Sequence, residues 1–219
     1  MRDDGSVSDR RPIPVRKAAW AVAIAGWLTR RGVRPNLISI LSVLFALFAA
    51  LGIAAGIQPE RAVRAACFGV SILCILLRLL CNLLDGMVAI EGGKGTKSGG
   101  VYNELPDRIS DAVILVSAGY AAREVSCGVA LGWAAALLAV ITAYVRTLAG
   151  SLGAPQRFVG PMAKQERMAV IGAALAFGMA TGVELAVKAI AGALAVVAAG
   201  CLVTIARRTL WLIRDLSKT

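Results

Sequence analysis

Long apolar stretches alternate with short basic segments along this chain of 219 residues. A helix needs about 20 apolar residues to cross the hydrocarbon core of a bilayer. The third stretch reaches that length only if its helix begins near Pro106, a residue type that is well tolerated in a first helical turn. The pattern predicts an all-α integral membrane protein with six transmembrane helices, at residues 35–59, 65–84, 106–122, 125–145, 168–183 and 189–206.

The residues before the first predicted span follow a different pattern. Residues 1–13 are polar and mixed in charge, and we expect a disordered tail. Residues 14–33 hold an apolar centre of eleven residues between basic ends, which is too short to span. Trp20 and Trp27 share one face of a helix, which predicts an amphipathic interfacial helix. Residues 34–219 would then form the six-helix transmembrane domain. A secretory signal peptide is excluded, because a basic R-R-G-V-R-P sequence follows the apolar centre instead of a cleavage site.

Composition supports a membrane protein and predicts its orientation. Charged residues make up 17% of the chain, against about 25% in soluble domains. The net charge is +11, and the basic residues lie between the apolar runs. We therefore expect anionic lipid headgroups and phosphate-bearing substrates as partners, and we do not expect nucleic acid. Nineteen Lys and Arg residues fall on the side of both termini and four on the other side. By the positive-inside rule we expect a bacterial-type inner (cytoplasmic) membrane, with both termini and the loop after the second span cytoplasmic.

The residue types that are absent or scarce narrow the chemistry. The sequence contains no histidine, which excludes Ser-His-Asp and Cys-His nucleophiles and histidine-bound zinc. Its five cysteines include no C-x-x-C pair, and their odd number argues against a closed disulfide framework. Any chemistry must therefore use carboxylates, amides, hydroxyls, and Lys or Arg.

The acidic residues best placed for chemistry lie around the second and third spans. Asn82 and Asp85 are three residues apart, and Asp107 and Asp111 are four apart. On helices, each spacing puts both side chains on one face. If the two helices pack together, four oxygen-bearing groups meet at one depth, a set that suits Mg²⁺ or Mn²⁺.

Two other uses of these carboxylates stay open at this point. One is a structural cluster neutralised by Arg78 and Arg108, and the other is a proton or ion pathway through a transporter. Between the two pairs we expect a flexible cytoplasmic loop at residues 86–105, whose G-G-K-G-T-K-S-G-G run does not match the spacing of a phosphate-binding P-loop. Gly86 would let a ligand approach the backbone beside Asp85, or would simply cap the helix.

The stretch resembles the signature of the CDP-alcohol phosphotransferases (CDP-alcohol phosphatidyltransferases), D-x2-D-G-x2-A-R-x8-G-x3-D-x3-D. The matching positions are Asp85, Gly86, Ala89, Asp107 and Asp111. The six predicted spans, the amphipathic amino-terminal helix and the R-P-N sequence before the first span are also similar to that family. The resemblance therefore covers most of the chain, and it is that of a divergent member of the family.

Three positions depart from the signature. Asn82 stands in place of the first Asp, Ile90 in place of the Arg, and Asn103 in place of the second Gly. Twelve residues separate Ile90 from Asn103, which is more than the signature has. An Asn oxygen still ligates magnesium, but it brings no charge.

Nearby residues are candidates to replace what is missing. Glu104, one turn before Asp107, is a candidate for the missing carboxylate. Arg78, Lys94 or Lys97 would take the place of the missing Arg on the substrate diphosphate.

The resemblance implies a metal-dependent enzyme of phospholipid biosynthesis. Such an enzyme transfers a phosphatidyl-type group from a CDP-linked lipid, CDP-diacylglycerol, to an alcohol and releases CMP. Two Mg²⁺ or Mn²⁺ ions and a homodimer are implied as well. The acceptor stays open among glycerol phosphate, inositol phosphate, serine and others, and a non-catalytic or transport protein on the same scaffold is the alternative.

The resemblance and the spacing together give each candidate residue a role. The metal ligands would be Asn82, Asp85, Asp107, Asp111 and Glu104, with Asp111 also accepting the proton of the acceptor hydroxyl. The nucleotide and its diphosphate would contact Gly86, Ala89 and Arg78. A phosphate on the acceptor would contact Arg146, Arg157, Lys164 and Arg167, whose other interpretation is positive-inside topology signalling.

Overall fold

The structure is a computed structural model that describes residues 18–91 and 99–217, and these ranges contain helices and no strands. The all-α prediction is therefore confirmed for them. The predicted tail at residues 1–13, Lys94 and Lys97 lie outside the described residues. Seven helices follow one another in this part of the chain: α1 (Ala19–Arg30), α2 (Pro35–Ala55), α3 (Arg61–Glu91), α4 (Gly99–Ala121), α5 (Gly128–Ser151), α6 (Lys164–Ala180) and α7 (Val183–Leu216).

Helix α1 occupies the position of the predicted interfacial helix. Its small residues Ala21 and Ala25 are buried against the end of α3, beside Leu84. Trp20 and Trp27 are half-exposed. A small buried face and outward tryptophans are what an interfacial helix presents to the bundle and to the headgroup layer.

Four helices, α2, α3, α5 and α7, are long and apolar enough to cross a membrane, counted over the described residues. Helix α4 carries Glu104, Asp107, Arg108 and Asp111, which leaves it no uncharged stretch of sufficient length. Helix α6 has 17 residues, just short of a full span. Composition thus supports a multi-pass membrane protein with four clear spans, where the sequence pattern predicted six.

Several helices run further than the apolar pattern indicated. Helix α3 continues to Glu91 and α4 begins at Gly99, so the prediction of a loop was wrong for residues 86–91 and 99–105, while residues 92–98 lie outside the described part of the chain. Gly86 lies inside α3 and is not a C-cap, and Pro106 lies inside α4 instead of in its first turn. The predictions failed because polar residues interrupt an apolar run without interrupting a helix.

The same holds on the carboxyl-terminal half of the chain. Helix α5 extends to Ser151 and α6 begins at Lys164, so the loop between them is shorter than the predicted linker at residues 146–167. Helix α7 continues to Leu216, which makes most of the predicted basic tail helical.

Helix α4 packs against α2, α5 and α7, while α3 packs against α2 and α6. Small residues let these helices approach closely, as is common in membrane bundles. Between α4 and α5, a Cβ atom built on Gly132 would lie only 2.6 Å from Gly119 Cα. The two backbones therefore touch at this crossing.

At the end of the bundle opposite Asp85, a buried arginine links the start of α3 to the end of α6 by hydrogen bonds. Arg64, near the start of α3, is 2% exposed. Its guanidinium donates to the carbonyl oxygens of Gly178 and Thr181, at the end of α6, and of Gln58 and Pro59, in the loop before α3. These bonds satisfy carbonyl groups at helix ends that have no partner within their own helix.

We expect Gly132→Ala to destabilise the protein by about 1–3 kcal/mol, because the added methyl meets backbone atoms that cannot move aside. Thermal unfolding in detergent would show a lower midpoint. Gly192→Ala is the matched control, since no atom lies within 4 Å of its Cβ position. An unchanged midpoint for Gly132→Ala would contradict the close crossing.

Candidate functional site

A cavity of about 290 Å³ lies where α3, α4, α5 and α6 come together, at the end of the bundle that carries Asp85. Its wall contains eight of the residues to which the sequence analysis gave a role in the site: Asn82, Asp85, Gly86, Glu104, Asp107, Arg146, Lys164 and Arg167. The structure thus brings together residues that lie up to 85 positions apart in the chain.

One carboxylate oxygen of Asp85 accepts a hydrogen bond, and the other has no partner among the described residues. Ser39 on α2 donates its hydroxyl to Asp85 Oδ2 over 2.7 Å. Oδ1 is buried and has no hydrogen-bond partner among the described residues. A buried carboxylate oxygen without a donor is costly, so this atom is suited to a cation or donor that a ligand brings.

Asp107 joins three helices through its two oxygens. The Asn82 amide donates to Oδ1 over 2.7 Å, and the Lys164 ammonium contacts Oδ2 over 2.6 Å. Lys164 is one-quarter exposed, which leaves it free to exchange Asp107 for an anionic ligand.

Asp111 lies behind the cavity wall, one turn below Asp107. Its Oδ1 is 2.5 Å from Arg78 Nη2, and its Oδ2 is 2.6 Å from Arg167 Nη2. The Asp111 carboxylate is 1% exposed and the Arg78 side chain is fully buried. The structure therefore does not place Arg78 where it would touch a diphosphate in the cavity.

Glu104 uses both of its carboxylate oxygens on guanidinium groups. Oε1 is 2.5 Å from Arg146 Nη2, and Oε2 is 2.9 Å from Arg108 Nη2. Arg146 also lies over the ring of Phe158, with 5.3 Å between its Cζ atom and the ring centroid. These contacts fix Arg146 at the cavity, and they leave Glu104 no free oxygen for a metal ion.

Besides Arg78 and Asp111, two more predicted residues, Arg157 and Ala89, lie outside the cavity wall. Arg157 forms a bidentate pair with Asp215 at 2.7 and 3.0 Å and lies over the ring of Trp211. The hydrogen bonds that Arg157 donates to Asp215 raise the pKa of the exposed Arg157 guanidinium. Ala89 lies one turn beyond Asp85 and does not reach the wall.

The wall also contains residues that the sequence argument missed, chiefly Arg208. Its side chain is buried and donates to the carbonyl oxygens of Thr142, over 2.6 Å, and of Val159, over 3.0 Å. Arg208 thereby ties the α5–α6 loop and α5 to α7. The sequence offered no signal for this role, because a basic residue near a chain end fits topology signalling equally well.

The donor set fits a divalent ion that arrives together with a phosphate-bearing ligand. No group of three or more acidic or Cys side chains within residues 18–91 and 99–217 is arranged to hold a metal by itself. Magnesium, however, is commonly bound by one or two carboxylates, with water and substrate phosphates completing its shell. Asp85, with its unpartnered Oδ1, together with Asn82 and Asp107 on the same wall, supplies such a set.

No protein-family model matches the chain. It is 25% identical over 146 residues to the inner membrane protein YnbA of Escherichia coli (strain K12). The aligned residues make up 67% of this chain and 68% of that protein. This similarity agrees with a multi-pass membrane protein.

The fold is similar to that of the phosphatidylinositol phosphate synthase PgsA1 of Mycobacterium tuberculosis. The crystal structure of PgsA1 with CDP-DAG bound gives a TM-score of 0.69 at 20% identity, over 89% of this chain and 94% of that one. The structure in complex with manganese and citrate gives a TM-score of 0.68 at 20% identity, over 88% of both chains. At this identity the likeness shows a shared fold.

We expect Ser39→Ala to weaken Mn²⁺ binding about 10–100-fold, because the residues that orient a metal-binding carboxylate have effects of this size. Titration of the purified protein with Mn²⁺, followed by electron paramagnetic resonance, measures the affinity. Ser71→Ala is the control, since that buried hydroxyl bonds only to the Cys67 carbonyl of its own helix. Equal losses in both variants would show a general packing effect and not a role at Asp85.

Proposed function

We propose that this protein is a metal-dependent CDP-alcohol phosphatidyltransferase of phospholipid biosynthesis. It would transfer a phosphatidyl-type group from CDP-diacylglycerol to an alcohol and release CMP. The observation that carries the proposal is the single cavity wall shared by Asp85, Gly86 and Asp107, three of the positions that match the family signature, and by Asn82, which stands at a fourth signature position. The fold shared with PgsA1, which was crystallised with CDP-DAG and with manganese, supports it.

The charge of the cavity suits a diphosphate. Three carboxylates and five cationic side chains form part of its wall: Asp85, Glu104 and Asp107, with Arg108, Arg146, Lys164, Arg167 and Arg208. This positive excess attracts an anionic ligand and focuses its binding. A bound Mg²⁺ or Mn²⁺ would neutralise charge on the diphosphate and make CMP a better leaving group.

Gly86 provides room for the nucleotide beside Asp85. It lies inside α3 on the cavity wall, and no described atom outside its own helix backbone lies within 4 Å of the position of a Cβ atom. Any side chain at this position would project into that space. Glycine therefore supports a close approach of the CDP group to the helix.

The acceptor alcohol would enter from the side of α5 and α6. Arg146 and Lys164 line this side, and both are held by carboxylates that a phosphate group could replace. We propose an acceptor that carries a phosphate. The role of Asp111 as proton acceptor stays a prediction, because its two oxygens are held by Arg78 and Arg167 below the wall.

The remaining features of the proposal concern the membrane. We propose that α4 and α6 cross the bilayer together with the four clear spans, in a bacterial-type inner membrane, with both termini and the cavity on the cytoplasmic side. The excess of nineteen over four basic residues supports that orientation. A homodimer is proposed from the family resemblance.

A non-catalytic or transport protein is the second candidate. The ion pairs of Asp107, Asp111 and Glu104 support it, because carboxylates that are neutralised within the protein are also what a purely structural cluster requires. Product formation separates the two candidates, since a transporter moves its substrate without releasing CMP.

The purified protein in detergent, supplied with CDP-diacylglycerol, Mn²⁺ and a pool of phosphorylated and unphosphorylated alcohols, should release CMP. We expect Asp85→Asn to reduce this release at least about 100-fold, since the buried site loses a metal-binding charge. Glu184→Gln, which changes an exposed carboxylate in the first turn of α7 that pairs with Lys188, should behave as the unmodified protein. Absence of CMP release from a folded protein would contradict the proposed function, and splitting the pool would identify the acceptor.

We expect Gly86→Ala to weaken CDP-diacylglycerol binding about tenfold, which corresponds to about 1.4 kcal/mol, because its methyl group occupies space at the cavity. Folding should not suffer, since alanine is favoured over glycine within a helix by about 1 kcal/mol. KM values and thermal midpoints measure the two effects. Gly172→Ala in α6, also without a neighbour near its Cβ position, is the control and should bind normally; normal binding by Gly86→Ala would contradict the assignment.

A further inference from the structure

Arg78 is a fully buried cation that lies directly below the cavity wall. Its side chain is fully buried, and Nη2 lies 2.5 Å from Asp111 Oδ1 and 3.7 Å from Asp107 Oδ1. Arg167 contacts the other oxygen of Asp111 and also donates to the Met162 carbonyl over 3.0 Å. Removing a guanidinium from such a pair would leave a buried charge without compensation, so both arginines remain in place when ligands bind.

Asp111 is consequently occupied. Each of its oxygens already contacts a guanidinium nitrogen, and its carboxylate is not part of the cavity wall. A metal ion would reach it only by displacing a buried arginine. The metal ligands that remain accessible are Asp85, Asn82 and Asp107.

The charges at the site balance with a single ion. Asp85, Asp107 and Asp111 are offset by Arg78, Lys164 and Arg167 before any ligand enters. One divalent ion then matches a diphosphate diester, which carries one negative charge on each phosphate. A second ion would leave excess positive charge in a buried site.

The outer part of the cavity adds to that excess. There, Arg108 and Arg146 both contact the single carboxylate of Glu104. The surroundings therefore do not supply the negative charge that a second ion requires.

We propose that the site binds one divalent ion per chain, held by Asp85, Asn82 and Asp107, and that Arg78 supplies the positive charge that a second ion would otherwise bring. Lys164, the partly exposed cation on Asp107, exchanges that carboxylate for the phosphate of the ligand when the ion binds. The inference rests on the proposed function in that it takes a divalent ion to be part of this site.

The first test counts bound metal directly. The full-length protein, in detergent with CDP-diacylglycerol, is equilibrated with Mn²⁺ and separated from free ion. Elemental analysis should find one Mn²⁺ per chain, and electron paramagnetic resonance should show the hyperfine pattern of an isolated ion. Two ions per chain, or the spectrum of an exchange-coupled pair, would overturn the inference.

Variants test the part given to Arg78. Asn82→Asp restores a carboxylate but keeps Arg78, so it should still bind one ion. The double variant Arg78→Met with Asn82→Asp should bind a second ion, whereas a control with Arg207→Met and Asn82→Asp should not, because Arg207 is exposed. Two ions in Asn82→Asp alone would overturn the role of Arg78, and this variant gives a result even if Arg78→Met fails to fold.

The metal count tests the inference and the CMP assay tests the proposed function, so either claim can be overturned while the other stands. Two bound ions together with CMP release would overturn the inference and leave the proposed function intact. One bound ion without CMP release would support the inference and overturn the function.

Discussion

The structure depends on one buried ion-pair cluster, in which Asp111 of α4 lies between Arg78 of α3 and Arg167 of α6. Three helices from separate parts of the chain meet there. A buried pair is weak evidence for stability by itself, but loss of one partner typically costs about 3–5 kcal/mol because the other charge stays buried. The cluster therefore requires one mutual register of α3, α4 and α6, and that register places Asn82, Asp85, Asp107 and Lys164 around the cavity.

The site consists of a fixed lower layer and an exchangeable upper layer. Arg78, Asp111 and Arg167 are almost inaccessible, and their charges are constant features of the fold. Above them, Lys164 and Arg146 are partly exposed and hold carboxylates of α4. Under the proposed function, a phosphate would replace a carboxylate on such a cation at little cost, because one anion would take the place of another. Binding would then require no change in how the helices pack.

Sequence reasoning reached the residues whose positions follow from local periodicity. The spacing of Asn82 and Asp85, and of Asp107 and Asp111, predicted pairs on helix faces, and the structure shows each pair on a helix. It named Arg78 as a possible neutralising partner of the acidic cluster, but it did not reach the contact between Arg167 and Asp111, because these residues stand 56 positions apart in the chain. Such pairing depends on which helices pack together. The bounds of α3 and α4 were missed for a related reason. Charged side chains on α4 are paired with residues of other helices, so they can lie within a helix where the apolar pattern indicated a loop.

Asn82 shows what one departure from the family signature does to the site. Its amide donates to Asp107 Oδ1 over 2.7 Å and so ties α3 to α4 before any ion binds. An aspartate in its place would accept hydrogen bonds only, and two carboxylates at that distance would repel each other unless a cation lay between them. The substitution thus turns a position that would require an ion into one that supports the fold without one. With Arg78 supplying a fixed positive charge from below, the site is already assembled without a ligand, which would lower the cost of ordering it if the proposed metal ion and substrate bind.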